Sequence, residues 1–271
     1  MLYKYLDPER LEFLKNFRIR FTKPGCLNDP IECIPKIQLN DIDNHIQKIV
    51  KRNFNKIISK HGLNKNTISA LKHAENQLSI EYKNNPNVFS NMVLTKHRDV
   101  MNRTFGVLSL SESYDSELLW SYYTNNHEGF VIGFDENNDF FKRQKNDRPD
   151  CGKLYKVIYH DDRIIIDVDK YKIPIQLLYT KKRVWSHEKE VRMIRELKNA
   201  DDVLDINDQK VHLFKIPKNA IVEIIFGINI NDKTRSKIID IINNDSDLKH
   251  ILIKKCIYNN SGEFKIIKND K

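Results

Sequence analysis

The chain has 271 residues, of which 40% are hydrophobic, enough to form a buried core, and its formal net charge is +9. No run approaches the roughly 18 consecutive apolar residues of a membrane span, and charges near the start argue against an apolar leader. Four scattered cysteines and only 8 glycines argue against a disulfide framework and a glycine-rich phosphate loop. We therefore expect a cytoplasmic protein with reduced thiols and no membrane contact.

In chain order, the apolar patterns predict short strands with isolated helices between them. The predicted strands lie at residues 17–22, 105–111, 129–135, 154–160, 163–168, 191–194, 211–216, 220–227 and 251–258. Outside the segment described next, the predicted helices lie at residues 8–16, 115–124 and 232–243. Because strand and helix do not alternate regularly, we predict an α+β fold. We expect its core to be a mixed, largely antiparallel sheet with flanking helices. This sheet could be split into two parts.

The charge and apolar spacing of residues 37–103 predict a basic helical insertion. It lies within a single domain that spans residues 1–271. Between Lys36 and Arg103 there are 12 Lys and Arg against 5 Asp and Glu, so this segment carries most of the net charge. Apolar residues spaced three or four apart indicate a helix; they are Ile42, Ile46, Ile49, Val50, Phe54, Ile57 and Ile58. Further helices are predicted at 66–82 and 88–100, separated by NNPN. The charge makes nucleic acid or a protein the expected partner of the insertion.

The segment FRIRFTKPGCLNDPIE contains the first candidate site residues. Arg18 and Arg20 share one face of the predicted strand, where an unpaired guanidinium could hold a phosphate. Asn28 and Asp29 precede a proline, and Glu32 follows it. Asn and Asp before Pro are typical of Asx turns, so a capped turn explains these residues equally well.

The segment VLSLSES and the following LLWSYYTNNHEGFVIGFD contain the second group. Ser109 and Ser111 alternate with leucines, so both hydroxyls face one side of a strand, toward either a ligand or a neighbouring strand. Trp120 and Tyr123 on the next helix could form the floor of a pocket, although aromatic residues at helical spacing are more often core. His127 is a candidate ligand contact or a packed imidazole.

The segment VWSHEKEVRMI concentrates Trp185, Glu188, Glu190 and Arg192 in eleven residues. In a strand, the two glutamates and the arginine would point to one face and line a cleft, with the apolar residues between them packed below. In a helix, Glu188 and Arg192 would form only a surface ion pair. The β-branched residues of VRMI favour the strand.

Four blocks together resemble a bacterial family catalogued as domain of unknown function 2971. The blocks are LYKY, RFTKPGCLNDPIE, SLSES with LLWSYYTNNHEGFVIGFD, and WSHEKEVRMI with the later VEIIFG, and they occur in the family's order. The resemblance implies one fold that joins these blocks, and the insertion is its least similar part. The matching residues are Tyr3, Arg20, Asn28, Asp29, Pro30, Glu32, Ser109, Ser111, Trp120, Tyr123, His127, Gly129, Trp185, Glu188, Glu190 and Arg192.

The order of an arginine strand, a Ser-x-Ser strand and a Glu-x-Glu strand also resembles mono-ADP-ribosyltransferases. This second resemblance implies that the arginine holds the pyrophosphate of NAD and that the serines brace the nicotinamide ribose. An aromatic residue would stack on nicotinamide, and the last glutamate would stabilise an oxocarbenium-like state. NAD is then a substrate, and no metal is expected. The expected NAD-binding residues are Arg20, Ser109, Ser111, Trp120 and Tyr123, and the expected catalytic residues are Glu190 and Glu188.

The sequence leaves two other classes of function open. A metal-dependent nuclease could use Asp29, Glu32, Glu188 and Glu190, with the basic insertion following phosphates. A non-catalytic module could sense a nucleotide in an aromatic pocket or bind a protein. The preferred hypothesis is an ADP-ribosyltransferase or NAD glycohydrolase that acts as a toxin or antiphage effector.

Overall fold

A computed structural model describes residues 1–38, 43–48, 50, 51, 59, 65–142, 148–167 and 174–269. It confirms the predicted α+β fold. The strands are β1 (Leu2–Leu6), β2 (Arg18–Phe21), β3 (Lys36–Gln38), β4 (Phe105–Ser111), β5 (Phe130–Phe134), β6 (Leu154–Lys156), β7 (Ile158–His160), β8 (Ile165–Asp167), β9 (Thr180–Lys182), β10 (Glu190–Glu196), β11 (Asp202–Ile206), β12 (Gln209–Lys215), β13 (Ile221–Phe226), β14 (Leu252–Tyr258) and β15 (Phe264–Lys268). The α-helices with defined bounds are α1 (Glu12–Asn16), α2 (Lys65–Asn84), α3 (Pro86–Thr104), α4 (Glu117–Tyr123) and α5 (Asp232–Asn244).

The main sheet has eight strands in the order β15-β14-β13-β5-β1-β4-β10-β6. All neighbours in it are antiparallel except β13 and β14, which are parallel. A second, three-stranded sheet has the order β11-β12-β2. Two short parallel pairs, β3 with β8 and β7 with β9, lie beside them.

The main sheet is covered on both faces. On one face, Leu108, Leu110 and Met193 join a large apolar cluster with residues of α1 and α5. Helix α5 begins where Asn231 accepts a hydrogen bond from the backbone N–H of Thr234 (2.8 Å), as an N-cap does. On the other face, α4 packs over β1, β5 and β13, while α3 packs against β4 and β10.

The centre of the main sheet contains a split between β1 and β4. These strands pair only at Tyr3 and Ser111, although β1 pairs with β5 along all five of its residues. Farther along, β4 instead forms an isolated antiparallel bridge from Val107 to Thr22, the residue that follows β2. Lys4 reaches across the split, and its Nζ donates a hydrogen bond to the backbone oxygen of Ser109 (2.9 Å). The split opens the sheet where the candidate residues lie.

Most predicted strands are confirmed within a residue or two, and the differences have local causes. The strand expected at 154–160 is broken because its partner changes. β6 pairs with β10, the N–H of Val157 donates to the oxygen of Glu190 (2.9 Å), and β7 then pairs with β9. The strand predicted at 211–216 is β12, but its hairpin partner β11 was not predicted. Asn207 and Asp208 between them both adopt positive φ (49° and 59°), as a tight hairpin turn requires.

Beyond Gln38, where β3 ends, the insertion is helical where it is described. Residues 43–48 are helical, and α2 and α3 extend slightly beyond the predicted bounds, with only Asn85 between them. Much of the helix expected from residue 42 to 58 lies outside the described residues. Ile46, Tyr82 and Phe89 form a small apolar cluster of their own. None of the helices in the described ranges is long and apolar enough to cross a lipid bilayer.

Candidate active site

A cleft of about 760 Å³ lies at the split in the main sheet, between β4, β10 and the three-stranded sheet. Its volume falls in the range of ligand pockets in proteins, about 300–1,000 Å³. Most of the residues singled out from the sequence line this cleft: Arg20, Asn28, Glu32, Ser109, Ser111, Tyr123, Glu188, Glu190 and Arg192. Residues far apart in the chain therefore meet at one place.

The two glutamates reach the cleft from different local structures. The strand interpretation holds from Glu190 onward, where β10 pairs with β4 and places Val191 and Met193 in the core. It is wrong for Glu188, which ends a 3-10 turn and is separated from the strand by Lys189 at φ 44°. The left-handed residue rotates the chain, so Glu188 is not on the face of β10. The carboxylates still converge from either side of that turn.

Arg192 is the centre of a buried ionic network. Its side chain is 1% exposed, and its Nε and Nη2 bind the two oxygens of Glu190 at 2.7 and 2.8 Å. Its Nη2 also contacts Glu32, and its Nη1 donates to the backbone oxygen of Leu178 (2.8 Å). A bidentate pair of this kind fixes both side chains.

Lys181, on β9, joins the two glutamates. Its Nζ lies 2.5 Å from Glu188 and 3.4 Å from Glu190, and its side chain is 5% exposed. The ammonium also lies 5.0 Å from the ring centroid of Trp185, in a cation–π contact. The sequence contained no signal for Lys181, because TKK reads as an ordinary exposed basic run.

The network holds three carboxylates against two cations. Burial by itself raises the pKa of Glu190, but Arg192 and Lys181 outweigh burial and lower that pKa to about 2. Burial likewise lowers the pKa of Arg192 and Lys181, and the surrounding glutamates outweigh it, so both pKa values are raised. For Glu32, burial outweighs the two cations, and its pKa is raised. The network therefore keeps Glu190 ionised between two buried cations, whereas burial shifts Glu32 toward its neutral form.

Tyr123 and Ser111 hold Glu188 in place. The Tyr123 hydroxyl donates to Oε1 of Glu188 (2.7 Å), and burial followed by this carboxylate raises the pKa of Tyr123. The Ser111 hydroxyl donates to the backbone oxygen of Glu188 (2.7 Å) and accepts from the N–H of Ser113 (3.0 Å). Ser111 therefore orients the glutamate turn, while Ser109 hydrogen-bonds to Glu190 and helps to keep it ionised.

The opposite side of the cleft is cationic. Arg20 on β2 is half-buried, and its side chain forms no hydrogen bond or ion pair with any residue in the described ranges. Burial is the main cause of its lowered pKa, and Arg10 adds to it. Arg10 also lines the cleft and has a long side-chain contact to Asp7 (3.5 Å). Lys4 lines the cleft near the network, because it bonds to Ser109 and interacts with Glu190. An unpaired, partly desolvated guanidinium is an anion site.

Four of the candidate site residues do not line the cleft: Trp120, His127, Asp29 and Trp185. Trp120 is completely buried, donates to the backbone oxygen of Tyr114 (2.9 Å) and stacks with His127 at 6.1 Å. Asp29 accepts from the N–H of Ile31 (3.0 Å), which is the Asx turn. Trp185 contacts Lys181 from outside the cleft. The structural explanation therefore fits Trp120, His127 and Asp29.

We expect Lys4 to make stability depend on pH in a specific window. Burial, opposed by Glu190 and reinforced by Arg10 and Arg20, lowers the pKa of Lys4 from 10.5 to about 8. Between these values the unfolded chain binds a proton that the folded chain has lost, so the free energy of unfolding rises with pH. The Lys4→Met variant lacks this pH-dependent contribution to the free energy of unfolding.

Urea unfolding of both proteins at about pH 7.5 and about pH 9.5 measures this term. The difference in unfolding free energy, wild type minus Lys4→Met, should increase at the higher pH. A difference that is the same at both values would show that the pKa of Lys4 is normal.

No group of three or more His, Cys, Asp or Glu side chains suited to hold a metal ion occurs among the described residues. The four acids proposed for a metal-dependent nuclease have other partners in the structure. Glu32, Glu188 and Glu190 are bound to Arg192 and Lys181, and Asp29 closes its turn.

Residues 119–193 match the model of a family described as protein of unknown function (DUF2971). The match runs from α4 into β10 and includes Tyr123, Glu188, Glu190 and Arg192. It supports the family resemblance over that segment, which is less than half of the chain. No curated protein and no solved structure matches the chain.

Proposed function

We propose that the cleft binds NAD or a related dinucleotide and cleaves the bond between nicotinamide and ribose, as an ADP-ribosyltransferase or NAD glycohydrolase would. The observation that carries the proposal is the separation of charge within one cleft. Arg20 offers positive charge on the three-stranded sheet, and the carboxylates of Glu188 and Glu190 lie at the start of β10 in the same cleft. NAD has the same two poles, an anionic pyrophosphate and a cationic nicotinamide ring.

The reaction needs little from the protein beyond positioning and charge. The bond from the nicotinamide nitrogen to C1′ of the ribose breaks, and its electron pair leaves with nicotinamide. Water or an acceptor group forms the new bond to C1′ and loses a proton. Positive charge develops on the ribose between these events, and a nearby carboxylate stabilises it.

The geometry supports different roles for the two glutamates. Both oxygens of Glu190 are bound by Arg192, and Lys181 lies near one of them. Oε2 of Glu188 accepts a hydrogen bond from Lys181, and the partner of Oε1 within the described ranges is the neutral hydroxyl of Tyr123. We assign Glu188 as the carboxylate that contacts the ribose and Glu190 as the residue that holds the cations around it.

Nicotinamide release from NAD by the purified chain in EDTA tests the function. We expect release, and we expect Arg20→Gln to raise KM at least about tenfold, because a hydrogen bond to a charged group contributes about 1.5–3 kcal/mol. Arg183→Gln is the matched control, because Arg183 forms an exposed pair with Asp161 outside the cleft. It should leave KM unchanged.

The same experiment separates the other classes of function. Intact NAD after long incubation, with cell lysate supplied as acceptor, would overturn the proposal. Metal-dependent breakdown of nucleic acid would then indicate a nuclease, and ligand binding without turnover would indicate a sensor. Removal of NAD by the proposed activity would suit a toxin or an antiphage effector.

A further inference from the structure

The hairpin of β11 and β12 forms an apolar wall of the cleft. Leu204 and Ile206 alternate along β11 and both line the cleft, although they are 42% and 49% exposed. Across the hairpin, Leu204 is paired with Val211, which also lines the cleft. Large aliphatic side chains at this exposure remain available to pack against a ligand.

The pairing of the strands places this wall beside Arg20. Directly paired residues of antiparallel strands share a face, and Leu213 on β12 is paired with Arg20 on β2. Leu204, Val211, Leu213 and Arg20 therefore share one face of the three-stranded sheet. Ile19 and Phe214, paired on the opposite face, belong to the core.

We propose that this aliphatic wall, formed by Leu204, Ile206, Val211 and Leu213, holds the adenine ring of the bound dinucleotide. The inference rests on the proposed function and specifies its substrate class. An anion site at Arg20 has the glutamate network on one side and the wall on the other. A ligand that reaches both must have a phosphate group in its middle and a flat apolar group at the end away from the glutamates.

An adenine dinucleotide fits this order of groups, whereas a nicotinamide mononucleotide does not reach the wall. Packing of the ring would cover aliphatic surface that is otherwise exposed to water, which favours binding. The four side chains of the wall are aliphatic, and the nearby Arg18 is already paired with Asp202 (2.7 Å), so the wall selects for a ring rather than for a second phosphate.

Calorimetric titration of the full chain with ADP-ribose and with nicotinamide mononucleotide tests the wall. In the double variant Leu204→Ser/Ile206→Ser, the Kd for ADP-ribose should rise about tenfold. The Kd for nicotinamide mononucleotide should not change. Val203→Ser is the matched control, because Val203 is 46% exposed on the same strand but does not line the cleft.

The outcomes distinguish this inference from the proposed function. If NAD is bound and cleaved with the expected dependence on Arg20, but the double variant binds ADP-ribose as the wild type does, only the adenine wall is refuted. If the wild type binds no nucleotide, both fail. If the double variant instead converts a dimer to a monomer in sedimentation, with unchanged ADP-ribose binding, the wall is an interface between copies of the chain and the inference is overturned.

Discussion

Replacement of Arg192 by methionine is expected to lower the free energy of unfolding by about 3–5 kcal/mol, the usual cost of removing one partner of a buried ion pair. Arg192 is 1% exposed and binds Glu190 through two nitrogen atoms, and Glu32 through one of them. Without it, two buried carboxylates lose their principal cation. Methionine keeps much of the volume, so the loss reports mainly the charge.

Urea unfolding followed by circular dichroism measures the effect. Arg183→Met is the control and should change stability little, because its ion pair with Asp161 is exposed. The pH dependence gives a second readout. Since Arg192 and Lys181 hold the pKa of Glu190 at about 2, below its ordinary 4.5, the stabilisation is complete above pH 4.5 and is lost as pH falls toward 2. A stability loss for Arg192→Met no larger than that of the control would contradict the ionic network.

The second large effect is expected for Glu188→Gln, which should lower kcat for nicotinamide release by about 10²–10³. The amide keeps the size of the side chain but removes the negative charge that we assign to the developing ribose cation. KM should change little, because the proposed phosphate contact is Arg20 on the three-stranded sheet rather than Glu188. The loss would therefore be in the transition state rather than in substrate binding.

Steady-state kinetics of nicotinamide release measures kcat and KM separately. Glu117→Gln serves as the control, because Glu117 is exposed outside the cleft and bonds Tyr258. Unfolding in urea should show whether the Glu188 variant remains folded, since the lost contact to Lys181 could also destabilise the turn. A folded Glu188→Gln with unchanged kcat would remove Glu188 from the mechanism.

The strands that form the site were predictable because their alternation is local. In β10, apolar residues alternate with Glu190 and Arg192, and the structure places the apolar ones in the core. The strand that contains Ser109 and Ser111 was predictable for the same reason. Cross-strand pairing then brings Arg192 opposite Ser109, which no local pattern contains.

Other parts of the site depend on contacts that are distant in sequence. Lys181 acquires its role only because β9 lies beside the glutamate turn, and the turn itself depends on Lys189 adopting a left-handed conformation that is rare for lysine. Trp120 lay correctly on a helix, but the sequence does not show which side of that helix faces the core. In the structure, Trp120 lies on the side of α4 that faces the core, whereas Tyr123 lines the cleft.

The split in the main sheet also affects how the fold is held together. Between β1 and β4 one residue pair, Tyr3 and Ser111, replaces the continuous ladder found between β1 and β5. Because hydrogen-bonded ladders and shared apolar contacts define the units that open together, the two halves of the sheet are least tied at this line. A molecule bound across the cleft would act as an additional tie between them, so occupancy and cooperativity of unfolding are linked.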